Sequence, residues 1–307
     1  MKRAEYLEIC AKLSQEELNE KAKAIRARAA GMIPPQVQAL FSTLDAQTAV
    51  EELSYPTAWG KTHLYLVRRR EDEGKTLPVL VNVHGGGWTL DHGERDLYFC
   101  RRLAKGTGCL VVDVDYVLAP EYPYPAALEE IEAVLNALPA LCRSYGGDPE
   151  RVILCGQSAG GNLLGGVAVR HKVTAPIRIL GQILCYLPAD NYNDHFDGQD
   201  LDPRGEQTEL YGFFYNRSME ERKNPDVSLV MAESAALSTL PPTDILTCGK
   251  DNLLAEGRKY YECLTAAGVK TSYRCFTESR HGFLVNLYDE WREGEAYVTE
   301  LVRSYLK

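Results

Sequence analysis

Ser158 stands in Gly156-Gln157-Ser158-Ala159-Gly160, directly after the apolar run Val152 to Cys155. A strand that turns sharply into a helix at a serine holds the hydroxyl clear of the sheet, and flanking glycines admit a backbone path that side chains would block. The pattern predicts a serine nucleophile, although the same pentapeptide elsewhere often does no more than cap a helix. Partners decide between the two. An alkoxide nucleophile needs a proton acceptor, and the acceptor needs an orienting carboxylate. Asp251 follows the run Thr243 to Thr247 through Cys248-Gly249-Lys250, and His281 lies in Arg280-His281-Gly282-Phe283 after the run Thr271 to Phe276. Of the six histidines, His281 alone follows the last strand with a glycine after it. Asp244 and Glu278 compete with Asp251, but Asp244 falls inside a strand and Glu278 too near the histidine loop. Acyl transfer also requires N–H donors aimed at a developing oxyanion. His84-Gly85-Gly86-Gly87-Trp88, straight after the run Val79 to Val83, supplies a backbone free of Cβ atoms, and the N–H of Ala159 adds a donor at a helix N-terminus.

These groups need a scaffold that delivers them to one place. From His63 onward the chain alternates β-rich runs with helical ones: His63 to Arg68, Val79 to Val83, Leu110 to Val114, Val152 to Cys155, Ile179 to Cys185, Thr243 to Thr247 and Thr271 to Phe276. Continuous apolar runs indicate strands covered on both faces, and helices between them imply a mainly parallel sheet in an α/β doubly wound body. Ser14 with Glu17 forms a capping box that opens a charged helix running to about Ala30, after an amphipathic turn containing Tyr6, Ile9, Cys10 and Leu13. Helices ahead of the first strand have no place inside a sheet, so they are expected across its top or against a second copy of the chain, which leaves a homo-oligomer open. Between Leu187 and about Ser234 there is no strand signal, only a polar stretch from Asp190 to Glu206 and then Tyr211, Phe213, Phe214 and Tyr215 in a helical pattern. A segment of that length is expected to be a functional lid.

Bulk properties narrow the partners. The 307 residues are 45% hydrophobic and 25% charged, ordinary for a folded globular chain, and the net charge of -9 disfavours nucleic acid and anionic lipid. Nine cysteines without a C-x-x-C pair, mostly within apolar runs, are expected as buried thiols in a reducing compartment. Charged residues at Lys2, Arg3, Glu5 and Glu8 interrupt any secretory pattern, and no membrane insertion is expected, so cytoplasmic residence follows as an expectation.

The combination resembles the hormone-sensitive lipase group of α/β-hydrolases, with its bacterial esterases and relatives of arylacetamide deacetylase. The resemblance runs in order through His84 to Trp88, Asp115-Tyr116-Val117-Leu118-Ala119-Pro120-Glu121, Gly156 to Leu163, Leu240-Pro241-Pro242, Asp251 with Leu253 and Glu256-Gly257, and His281-Gly282-Phe283. It implies the α/β-hydrolase fold with a helical cap, here residues 1–45 and 188–234 over a catalytic body of 46–187 and 235–307. It also implies Ser158 as nucleophile, His281 as base, Asp251 as its orienter, and Gly86, Gly87 and Ala159 as oxyanion donors, with Gly85 as a fallback. Glu121 is implied to support the site without taking part in attack. Two positions depart from the group: an acidic residue is common where Gln157 stands and an arginine where Val117 stands.

The expected activity is that of a serine carboxylesterase acting on small, short-acyl esters through an acyl-enzyme, with no metal or organic cofactor. Trp88, Tyr186, Phe283, Tyr211 and Phe214 are the expected apolar lining of the substrate pocket. A carbohydrate or arylamide deacetylase would use the same triad, and a ligand-binding receptor of the same fold would lack the histidine.

Overall fold

Along the central strands successive apolar side chains bury themselves on opposite faces, and this sets the layering. In the computed structural model, which describes residues 1–30, 33–195 and 199–307, Val79, Val81, Val83, Val112, Val152 and Leu154 join one core cluster. Leu80, Val111, Ile153, Cys155 and Ile183 join the other. Helices Ala126–Tyr145, Ala159–Arg170 and Leu254–Ala266 close the first face, and helices Glu94–Thr107 and Trp291–Tyr305 close the second. A sheet dry on both sides reads in sequence as continuous apolar runs, as observed here.

The strands are β1 (Thr48–Thr57), β2 (Gly60–Arg69), β3 (Leu77–Val83), β4 (Leu110–Asp115), β5 (Gly147–Gln157), β6 (Ile179–Cys185), β7 (Thr243–Lys250) and β8 (Thr271–Arg280), in the spatial order β1-β2-β4-β3-β5-β6-β7-β8. β2 pairs antiparallel with both β1 and β4, and the remaining pairs are parallel. The seven expected strands are all present. β1 is the addition: Glu51, Glu52 and Pro56 hide its strand character, and an edge position tolerates all three because one side of its ladder and much of its surface meet solvent.

Strand order reverses at β3, whose neighbours β4 and β5 lie on opposite sides, so the chain leaving β3 and the chain leaving β5 diverge and open a crevice at their carboxyl ends. The Ser14 capping box is formed, with the hydroxyl accepting from the Glu17 N–H at 3.2 Å and the Glu17 carboxylate accepting from the Ser14 N–H at 2.8 Å, and it opens helix Gln15–Ala29 after helix Arg3–Ala11. The segment 188–234 contains helix Pro203–Tyr215, capped by Asp202, where the aromatic run predicts a helix. Residues 196–198 of its polar stretch lie outside the described residues. Helix Arg3–Ala11 is tied to helix Pro203–Tyr215 by the Arg3–Glu209 ion pair at 2.5 Å. Seven of the nine cysteine thiols are buried, and among the described residues no helix is long and apolar enough to cross a membrane.

The turn from β5 into helix Ala159–Arg170 is closed by backbone contact. A Cβ on Gly156 would lie 2.5 Å from the Gly160 carbonyl oxygen, and one on Gly160 only 2.0 Å from that of Val83 in β3. Neither neighbour is a flexible side chain, so the helix would have to leave the sheet. Gly160→Ala is therefore expected to lower unfolding free energy by about 3 kcal/mol, the upper end of the usual overpacking cost, in urea titrations. A change of no more than a few tenths of a kcal/mol would contradict this packing.

Candidate active site

At the turn Ser158 holds φ +53° and ψ −121°, a strained combination for a residue with a side chain, costing roughly 1–3 kcal/mol. Backbone bonds hold it there: its N–H donates to the Cys185 carbonyl at 2.8 Å, and its own carbonyl accepts from Asn162 N–H at 3.1 Å. Ser158 Oγ then lies 2.8 Å from His281 Nε2, and His281 Nδ1 lies 2.6 Å from Asp251 Oδ2. The serine comes from the end of β5, the aspartate from beyond β7 and the histidine from beyond β8, so three side chains far apart in sequence meet at one end of the sheet. Asp251 is 1% exposed at its side chain, whereas His281 is 39% exposed and faces the crevice.

The histidine loop is braced from behind. Tyr288 Oη donates to the His281 carbonyl, the Tyr186 ring meets the imidazole edge to face at 5.0 Å, and Asp289 accepts from the Arg280 N–H and guanidinium at 2.9 to 3.1 Å. Glu290 accepts from Glu278 N–H and the Ser279 hydroxyl, each at 2.9 Å. The competing acids stand elsewhere: Asp244 is buried in β7 against Ser272 and Tyr305, and Glu278 pairs with Lys250 at 2.7 Å.

Ser158 and His281 open onto a cavity of about 380 Å³ that Gly85, Gly86, Gly87, Trp88, Tyr186 and Tyr211 also line. In the glycine loop the Gly85 carbonyl accepts from His84 Nδ1 at 2.7 Å, and the Gly86 carbonyl accepts from Thr89 and Leu90 N–H groups at 3.1 and 2.9 Å. Because a trans peptide sets its N–H opposite its C=O, the Gly86 and Gly87 N–H groups are turned the other way. Gly87 has φ +59°, and the Tyr211 ring lies where a Cβ would sit, 2.3 Å away. Ala159 begins the helix after Ser158, where N–H groups have no partner within the helix. Two expected lining residues do not reach the cavity. Phe283 is fully buried and packs behind Tyr186 and Phe276, and Phe214, 1% exposed, is turned off the face of its helix that carries Arg204, Gln207, Thr208 and Tyr211. Both are core residues. Tyr215 instead stacks on Trp88 at 4.5 Å, joining that helix to the glycine loop.

Two groups of supporting residues go beyond the sequence-based expectations. Arg26, from helix Gln15–Ala29, bonds both Glu121 carboxylate oxygens at 2.7 Å, the Thr89 carbonyl at 2.7 Å and the Ala119 carbonyl at 2.9 Å. Thr89 in turn donates its hydroxyl to the Gly87 carbonyl at 3.0 Å. With valine at 117, the arginine that holds Glu121 comes from an N-terminal helix, a link no local spacing announces. The second group is a buried chain behind Ser158: Gln157 Nε2 to Asn82 Oδ1 at 2.9 Å, Asn82 Nδ2 to Asp113 Oδ1 at 2.7 Å, and Asp113 Oδ2 to His92 Nε2 at 2.8 Å. Polar Asn82 and Asp113 inside apolar strands were the available signal, since such groups are buried only with partners. Burial opposes the His92 imidazolium, but the charge and hydrogen bond of Asp113, with Asp96 and Asp115, outweigh it and push its pKa up to about 9. The Asp113 carboxyl is correspondingly held below its usual range: burial alone would raise it, and the His92 charge and hydrogen bond prevail.

Comparison with known proteins identifies the family. The sequence model of a family described as an α/β hydrolase fold matches residues 80–285, and the chain belongs to that family, in its hormone-sensitive-lipase-like group. It is 33% identical over 215 residues to carboxylesterase NlhH of Mycobacterium tuberculosis, covering 68% of this chain and 67% of the relative. It is 27% identical over 275 residues to an arylesterase of Saccharolobus solfataricus, covering 88% of this chain and 84% of the relative. A hyperthermophilic esterase from Pyrobaculum calidifontis superposes with a TM-score of 0.80 at 26% identity, over 94% of this chain and 96% of that one. The protein is a carboxylic ester hydrolase.

Two expectations follow from the supporting groups. Arg26→Gln loosens the loop that carries Gly86 and Gly87, so kcat for ester hydrolysis should fall roughly ten- to a hundredfold with KM nearly unchanged. A wild-type kcat would show that the clamp does not position the loop. For His92, a folded pKa raised from 6.5 to about 9 means a stabilisation fully present below pH 6.5 and lost as pH rises through about 9, on the order of 3 kcal/mol. Urea unfolding of wild type and His92→Gln at pH 6 and at pH 9.5 should give a gap that narrows at the higher pH. Parallel curves would remove the buried ion pair from consideration.

Proposed function

We propose that the protein is a serine carboxylesterase in which Ser158 is the nucleophile, His281 the general base and then acid, and Asp251 the carboxylate that orients it. The supporting observation is the continuous chain Asp251 Oδ2 to His281 Nδ1 at 2.6 Å and His281 Nε2 to Ser158 Oγ at 2.8 Å. Such a chain needs Nδ1 to carry a proton for the carboxylate, which leaves the Nε2 lone pair facing the hydroxyl. As Oγ attacks the ester carbonyl carbon, Nε2 takes its proton, and buried Asp251 stabilises the imidazolium so formed. The carbonyl oxygen becomes an oxyanion held by the N–H groups of Gly86, Gly87 and Ala159, with Gly85 lining the same loop. Nε2 returns the proton to the leaving alcohol as the tetrahedral carbon collapses to an acyl-enzyme. A water, deprotonated by the same nitrogen, then releases the acid and restores the serine.

Residues 1–45 and 188–234 act in this reading as a cap over the body formed by 46–187 and 235–307. Tyr211 over Gly87 and the Trp88–Tyr215 stack bound a cavity of about 380 Å³, sized for a small substrate, which supports short-acyl esters as the substrate class. With p-nitrophenyl acetate, Ser158→Ala should reduce kcat to near background and Asp251→Asn should cost roughly 10⁴-fold, by leaving the imidazole in the wrong tautomer. Full turnover by Ser158→Ala would end the assignment.

A further inference from the structure

The cavity wall carries more positive charge than the proposed chemistry uses. Three arginines line it: Arg95, Arg204 and Arg280. Arg280 is neutralised by Asp289, at 3.0 Å from Nε and 3.1 Å from Nη2, and Asp251 is engaged with His281. Arg204 is exposed, and among the described residues it has no ion-pair partner. Arg95 Nε is 3.7 Å from Asp96 Oδ2, an oxygen that already accepts the Gly93 N–H at 3.0 Å. Both cations occupy the first turn of a helix, Arg95 in Glu94–Thr107 and Arg204 in Pro203–Tyr215. In a first turn a cation works against the helix dipole, so neither is there to stabilise its helix. Two carboxylates, Asp96 and Asp251, share this wall, but their side chains are only 7% and 1% exposed, so in a chain of net charge -9 the charge that this cavity presents to solvent is that of Arg204 and, in part, of Arg95.

We propose that the preferred substrates are esters bearing a carboxylate away from the scissile bond, recognised by Arg95 and Arg204. This rests on the reading of Ser158, His281 and Asp251 as the ester-cleaving relay. A carboxylate suits guanidinium donors geometrically, and positive charge at a crevice raises the encounter rate of an anion. The charge can sit on either limb of the ester, and the two limbs are separable by experiment.

The test uses two matched pairs with the full-length protein at low ionic strength. On the acyl limb, mono-p-nitrophenyl glutarate is compared with p-nitrophenyl pentanoate, and on the alcohol limb 4-acetoxybutanoate with butyl acetate. The expected result is a kcat/KM ratio of anionic to neutral ester of roughly ten on at least one limb, shrinking as salt is added, as steering by a charged crevice requires. In Arg95→Gln/Arg204→Gln the ratio should fall towards one, and Arg204→Glu alone, at an exposed position, should lower it further than Arg204→Gln alone. A wild-type ratio at or below one on both limbs, or a ratio unmoved in both the double variant and Arg204→Glu, overturns this proposal while leaving the ester-cleaving reading intact. Hydrolysis of none of the four esters above the Ser158→Ala background overturns that reading as well.

Discussion

The contact on which the site depends is the backbone approach of Gly160 to the Val83 carbonyl, tight enough that a Cβ would come within 2.0 Å. It brings the first turn of helix Ala159–Arg170 under the end of β3, so the strained serine and the glycine loop leave adjacent strands at the same level. Without that approach the Ser158 hydroxyl and the N–H groups of Gly86 and Gly87 would belong to two separate surfaces. The strain at Ser158 is offset by burial of both strands on both faces, a large favourable term that a local cost of a few kcal/mol does not threaten.

Around this contact the molecule is held by polar groups that connect distant segments. Arg26 ties a helix ahead of the sheet to Glu121 and to the strand-end loop through Thr89, while Arg3 ties another to helix Pro203–Tyr215 through Glu209. Gln157, Asn82, Asp113 and His92 form a buried chain below Ser158. Where members of the group often place a charge beside the serine, this chain places an amide that donates to Asn82. The charges lie two residues further along the chain of bonds, in the Asp113–His92 pair. A buried pair of that kind contributes little over an apolar replacement but costs several kcal/mol when only one partner is removed. Its value lies in orientation.

The cavity shows a division of labour between its walls. The floor is glycine-loop backbone with Ser158 and His281. The roof is supplied by helix Pro203–Tyr215 and by Trp88, where aromatic rings pack on one another. Charge enters from the rim, through arginines at helix starts. Floor, roof and rim thus come from different segments of the chain.

The sequence by itself determined the strand and helix order, because dry strands must be apolar throughout and the elbow demands glycines at 156 and 160. It also singled out Ser158, Asp251 and His281, since each follows a strand and the chemistry calls for those three residue types. It did not reveal β1, whose glutamates and proline suit an edge, nor the partners of Glu121 and Asp113, which come from segments with no fixed spacing to them. Phe283 and Phe214 illustrate the same limit: an aromatic near a motif faces the cavity or the core according to a rotation of its element that only packing sets. Which side chains meet across the fold is a property of tertiary contact, because hydrogen bonds and ion pairs select partners by distance in space and are indifferent to distance along the chain.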